Sequence, residues 1–210
     1  MKLITVIPEM LSGEVELSDL SKDDRFLFLA NFLVLGAIGN NIRCKGIKSI
    51  DSVKLRRLAG IIENAGAKVE IRNNEISAKQ TAVMHGVKID ASGLDDIIPA
   101  LAVLCAFCRG ESRICGVLKQ SGKNDALSQL AAEFNHLGIE MRPSSDGLVI
   151  KGRQTLNGDG TYVWRSSQLA AALTVAASRA EGEVRIMGID EIEDNKYEKF
   201  LKIYQKLTEV

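Results

Sequence analysis

Hydrophobic and polar positions along this chain fall into blocks, and the blocks recur. Residues 21–47 read SKDDRFLFLANFLVLGAIGNNIRCKGI, residues 94–117 read LDDIIPALAVLCAFCRGESRICGV, and residues 166–189 read SSQLAAALTVAASRAEGEVRIMGI. Each block runs from a polar starter through an apolar stretch to a break and a short alternating segment. Each closes on glycine followed by Ile or Val, at Gly46, Gly116 and Gly188. An apolar stretch with no polar stripe predicts a helix buried on all sides, and the alternating segment after it predicts a strand.

Each block is followed by a segment of different texture. DSVKLRRLAGIIENAG (residues 51–66) places Val53, Leu55, Leu58, Ile61 and Ile62 near one face of a helix. DALSQLAAEFNHLG (residues 125–138) does so with Leu127, Leu130, Phe134 and Leu137, and NKYEKFLKIYQKL (residues 195–207) with Tyr197, Phe200, Leu201 and Tyr204. This 3.6-residue period predicts amphipathic helices with one face outward. Two of the three are followed by paired strands, KVEIRNNEISA turning on Asn73-Asn74 and IEMRPSSDGLVIKG turning on Asp146-Gly147. The third has no such pair after it, and LITVIP near the N-terminus is a candidate to pair back into that unit, because an open sheet edge is a liability.

The pattern predicts an α/β fold of three βαβαββ units with approximate threefold symmetry, apolar helices inside and sheets and amphipathic helices outside. The expected units are residues 13–80, 86–153 and 158–210 of one domain covering 1–210, with residues 1–12 closing the third.

Composition narrows the function classes. Lys plus Arg and Asp plus Glu number 27 each, so a general nucleic-acid or anionic-membrane surface is not expected. Aromatics are 5% of residues, too sparse for base-stacking platforms. The longest apolar run, residues 26–39, is shorter than the roughly 20 residues a membrane helix needs, and MKLITVIPEMLSGEVEL does not resemble a secretory signal. A cytoplasmic location is the expectation. Cys105 and Cys108 have CxxC spacing inside an apolar run without acidic or His neighbours, and His85 and His136 stand alone. Core packing is expected for the cysteines, and neither a metal site nor a cofactor is expected.

The polar starters carry the candidate chemistry. Ser21 to Asp24, Asp95-Asp96 and Ser166-Ser167 each precede a buried helix and are residue types that cap helix N-termini. If the three tips converge, their unpaired N–H groups and partial positive charge form an anion site.

These residues resemble the enolpyruvyl transferase family, with EPSP synthase (3-phosphoshikimate 1-carboxyvinyltransferase) the best match, whose members have two similar domains of three βαβαββ units each. The resemblance covers nearly the whole chain, as one such domain. It implies transfer of enolpyruvyl from phosphoenolpyruvate to shikimate 3-phosphate, in aromatic amino acid biosynthesis, at a cleft that needs a second domain or partner chain. A homo-oligomer or a separate complementary domain is therefore expected. LDDIIPALAVLCAFCRGESRICGV is similar to a C-terminal-domain segment and implies a proton-transfer role for Asp96. Asp125 matches the acid of the Lys-Glu-Ser/Thr-Asp-Arg motif, which reads Gly122-Lys123-Asn124-Asp125-Ala126 here, with Lys123 one residue from the Lys position and no Arg. Ser166, Ser167 and Gln168 resemble an N-terminal-domain signature that holds shikimate phosphate, while the order of the units favours the C-terminal half. Ser21, Lys22 and Arg25 echo the Lys-Ser…Arg starter with shortened spacing, and Arg165 is a further cation beside the motif. The resemblance thus implies substrate contacts from Lys22, Arg25, Lys123, Asp125, Arg165, Ser166, Ser167 and Gln168. The family's Asp-His-Arg arginine falls on Gln168, and its final lysine falls near Asp194. These losses leave a second reading open, a non-catalytic anion-binding or assembly domain on the same scaffold.

Overall fold

A computed structural model describes residues 3–117, 123–152, 156–158, 160–163, 166–188 and 194–208, with side chains for all of these except 123–126. Three inner helices, α1 (Lys22–Ala37), α3 (Ile98–Ala106) and α5 (Ser167–Ala177), pack pairwise against one another. Nearly every residue from Phe26 to Ile38, Ile97 to Cys108 and Ala170 to Ala177 is buried. That is why these segments show no polar stripe: α1 and α3 meet helix neighbours on one side and a sheet on the other, and α5 is enclosed by α1, α3 and α6.

The strands repeat one scheme. β2 (Ser12–Glu16) runs parallel to β3 (Asn41–Lys45), β6 (Lys88–Asp90) to β7 (Gly110–Cys115), and β10 (Gly160–Val163) to β11 (Val184–Met187). The inner helix of each unit is the crossover between its two parallel strands, as parallel pairing requires. The hairpin strands β4 (Ala67–Arg72) and β5 (Glu75–Gln80) complete the order β2-β3-β5-β4. β8 (Glu140–Pro143) and β9 (Leu148–Gly152) complete β6-β7-β9-β8. β1 (Ile4–Val6) pairs antiparallel with β11 and gives the third sheet the order β1-β11-β10. Gly46, Gly116 and Gly188 close the units with φ of +81°, +76° and +79°, a conformation that glycine adopts without a Cβ clash.

The amphipathic helices α2 (Ser52–Asn64), α4 (Lys123–His136) and α6 (Lys196–Thr208) lie outside the inner three. Leu58, Ala59 and Ile62 are the buried face of α2, whereas Val53 is 61% exposed. The expectation for Val53 therefore fails, while Leu55 and Ile61 are partly buried against the core. Asp51 caps that turn, its carboxylate accepting from the backbone N–H of Val53 and Lys54 at 2.9 Å each. No helix among the described residues is long and apolar enough to cross a membrane. Cys105 and Cys108 are buried, and burial pushes both thiols up, that of Cys108 to about 12, as expected of core cysteines.

Candidate functional site

The tips of the inner helices gather at one end of the core. Ser167, in the first turn of α5, donates its hydroxyl to Asp194 and accepts from the backbone N–H of Tyr197 at 3.2 Å. Asp24, in the first turn of α1, meets Lys199 Nζ at 3.2 Å and Lys196 Nζ at 3.9 Å. Both tips therefore adjoin the start of α6. The tips of α5 and α3 in turn share a cavity of about 360 Å³.

Only two of the three tips open into that cavity. The α3 side supplies Asp95, Asp96, Ile98 and Pro99, and the α5 side Ser166, Gln168 and Leu169. Val117, after β7, and Leu127, Gln129 and Leu130 of α4 complete the wall. The expectation that Asp95 and Asp96 cap α3 is corrected. Residues Asp95–Ile97 form a single 3-10 turn, Ile97 precedes the helix proper, and neither start carries a side-chain cap bond. Pro99 opens α3 instead, where its missing N–H costs nothing. Asp96 is exposed and Asp95 half-buried, and both residues line the cavity.

The start of α5 is built differently. Ser166 has an extended backbone, and its hydroxyl accepts from the N–H of Leu169 at 3.5 Å and lies 3.0 Å from Gln168 Oε1. The first turn of α5 carries the partial positive charge of a helix N-terminus, and Ser166, Gln168 and Leu169 there line the cavity. The cavity lining pairs two acids, Asp95 and Asp96, with the polar Gln129, Ser166 and Gln168 among apolar side chains. Such a pairing suits a ligand with hydroxyl groups at one end and an anionic group at the other.

The remaining expected site residues are placed as follows. Ser167 is 2% exposed and turned away from the cavity, since its bonds to Asp194 and Tyr197 anchor α6. Arg25 lies outside the cavity wall. Its guanidinium donates to the carbonyls of Leu17 at 2.9 Å and Leu20 at 2.7 Å, and also to Ser18 O and Ser49 Oγ. It ties down the loop before α1, and these bonds engage four of its five N–H donors. Lys22 is exposed on the first residue of α1 and does not line the cavity. Lys123 and Asp125 occupy the first turn of α4, one turn before Leu127, but their side chains lie outside the described residues. Arg165 also lies outside them. Among the described residues no cation lines the cavity.

Gln129 was not singled out from the sequence. It flanks the buried face of α4, and its signal is only that it follows Leu127 and precedes Leu130 on a helix that reaches the cavity.

Inner helices roofed by three small sheets define an α/β domain of internal-repeat type, and the comparisons specify which. The family described as EPSP synthase (3-phosphoshikimate 1-carboxyvinyltransferase) matches residues 29–203. This chain belongs to that family. It is 33% identical over 162 residues to the 3-phosphoshikimate 1-carboxyvinyltransferase of Clostridium acetobutylicum, covering 76% of this chain and 37% of that protein. It is 29% identical over 180 residues to that of Clostridium novyi, covering 85% of this chain and 41% of that protein. Among solved structures, EPSP synthase from Acinetobacter baumannii superposes with a TM-score of 0.70 at 18% identity, over 86% of this chain and 45% of that one. The enolpyruvyl transferase NikO from Streptomyces tendae does so with a TM-score of 0.69 at 18% identity, over 87% and 42%. These structures bear on the fold alone. The chain spans about two fifths of the length of the curated relatives it matches.

Proposed function

We propose that this chain is one half of an enolpyruvyl transferase and binds a hydroxylated phosphorylated ligand such as shikimate 3-phosphate in the α3/α5 cavity. It would act on phosphoenolpyruvate only when a complementary half closes over that cavity. The observation that carries the reading is the meeting of Asp96 with Ser166 and Gln168, residues 70 or more apart in sequence, around one cavity. Asp96 accepts a ligand hydroxyl and serves as the proton-transfer group, Ser166 and Gln168 hold polar groups across from it, and the α5 amides receive the phosphate. Lys123, Asp125 and Arg165 are the flanking groups proposed to complete the polar contacts. The location proposed for the protein is the cytoplasm.

A half-site closed on one side leaves its ligand in water, where electrostatic stabilisation of a developing charge is weak. The second half would exclude that water and supply the cations missing from the described wall.

Calorimetry tests this directly. Shikimate 3-phosphate alone should give a saturable isotherm, tightened by phosphoenolpyruvate once the complementary half is added. The Asp96→Asn variant should keep binding yet lower turnover of the complemented enzyme by about 10²- to 10⁴-fold. No heat at millimolar ligand would reject the reading.

One observation favours a second reading, a non-catalytic assembly domain. Arg25, Lys196 and Lys199, cations close to the helix tips, are committed to backbone carbonyls or to Asp24. In that case calorimetry stays silent while the complementary half still binds.

A further inference from the structure

The loops that lead into α1 and α3 follow one plan and are held in two ways. Glu16 pairs with Lys45, the residue before Gly46, and Asp90 pairs with Cys115, the residue before Gly116, so the two acids hold equivalent places. Two residues on, Ser18 and Ser92 each donate a backbone N–H to that carboxylate, at 2.9 Å and 3.0 Å, and a hydroxyl as well. In the first loop an arginine then gathers the carbonyls. Arg25, nine residues after Glu16, donates to those of Leu17, Ser18 and Leu20.

Nine residues after Asp90 stands Pro99, which has no side-chain donor. The clamp on the second loop comes instead from the preceding unit. Arg57 of α2 donates through Nη2 to the carbonyl of Asp90 and through Nη1 to that of Ser92, both at 2.8 Å. This loop runs straight into Asp95 and Asp96, in a turn without a side-chain cap. Leu94, 1% exposed, pins the loop on its core side. Gly93 has a φ of +72°, and no described residue lies within 4 Å of where a Cβ would stand, so packing does not hold the backbone there. A fork of N–H groups on two carbonyls fixes both the place and the direction of a chain, which a lysine ammonium cannot do.

We propose that Arg57 is a positioning residue of the α3/α5 cavity. Held on the outer helix of the first unit, it fixes the loop of the second unit that presents Asp96 to the ligand. Arg57 does not itself line the cavity. Arg25 does the same work at the tip of α1, but there the loop it holds leads to no cavity residue. The inference rests on the cavity reading given above and adds to it a dependence on α2, an element that supplies no cavity residue.

Deuterium exchange of the free chain and calorimetry with shikimate 3-phosphate test it together. In Arg57→Ala the amides of residues 92–97 should exchange about tenfold faster, while those of the β4–β5 hairpin stay as in the parent chain. Binding of shikimate 3-phosphate should weaken about tenfold, and Arg57→Lys, which keeps the charge but cannot fork, should recover only part of the loss. Because Arg57 acts through Asp96, its removal should cost less than about twofold in a chain already carrying Asp96→Ala. A merely structural role would give the same loss in both backgrounds. Unchanged exchange at residues 92–97, full binding by Arg57→Ala, complete recovery by Arg57→Lys or equal losses in the two backgrounds would each overturn the proposal. No heat from the parent chain would reject the cavity reading and this inference with it, whereas heat that Arg57→Ala retains in full would reject this inference alone.

Discussion

The tip of α1 and the tips of α3 and α5 begin with the same physical problem and end in different surroundings. At α1, Ser21 accepts from the N–H of Asp24 at 3.2 Å, and the buried Asp24 carboxylate is covered by Lys196 and Lys199 from α6. The helix end is saturated from within. At α5 Ser166 also caps its helix, accepting from the N–H of Leu169, while α3 has no side-chain cap; both tips line a cavity in which no described cation sits. A helix N-terminus is therefore not a site in itself. Whether it becomes one depends on what the neighbouring amphipathic helix delivers, and α6 closes what α4 leaves open.

Breaking the closed end should cost most. Phe200 is fully buried and stacks on Phe32 with centroids 4.9 Å apart, with Phe28 edge-on at 5.6 Å. Phe200→Ala should lose about 3–5 kcal/mol of unfolding free energy in urea titration by opening a cavity between α1 and α6. Asp24→Asn keeps the shape but removes the charge that Lys196 and Lys199 face, and should cost about 1–2 kcal/mol by the same measurement. Tyr204→Phe should move the other way. Losing a buried hydroxyl that has no hydrogen-bond partner among the described residues should leave the chain unchanged or up to about 1 kcal/mol more stable, read as a higher Tm.

Two acids sharpen the comparison further. Backbone N–H bonds from Lys54 and then Val53 hold the Asp51 carboxyl below its usual value. A carboxyl depressed in the folded state adds stability that is complete above the unfolded aspartate value, about 4, and is lost as pH falls through the folded value. Asp51→Ala should therefore lower Tm near neutral pH, and the difference from the parent chain should shrink below about pH 4. Asp96→Asn should change stability least, within about 0.5 kcal/mol, because this exposed carboxylate caps nothing. A fall in Tm comparable to that of Asp51→Ala would show Asp96 to be a cap after all.

Much of the architecture was legible because periodicity is a local signal with a global cause. The absence of a polar stripe on α1, α3 and α5 could mean only burial on all sides, and the hairpins announced themselves at Asn73-Asn74 and near Asp146-Gly147. The pairing of LITVIP with β11 was legible as the physical need to cover a strand. The site was less so. Asp96, Ser166 and Gln168 carry family-like spacing, yet nothing in the sequence separates Ser166, which faces the cavity, from Ser167, which faces α6. That difference is one of direction around a helix start, set by Asp194, a residue 27 positions from Ser167. Arg25 poses a related difficulty: guanidinium groups that clamp backbone carbonyls and those that clamp phosphate look alike in sequence.

The central claim is that ligand enters between the tips of α3 and α5 and not at the tip of α1. Amide chemical shifts of the ¹⁵N-labelled chain, followed while shikimate 3-phosphate is added, test it most directly. The account predicts saturable shifts at residues 95–98, 127–130 and 166–169 with residues 22–25 unmoved. Shifts led by residues 22–25, or none at millimolar ligand, would contradict it.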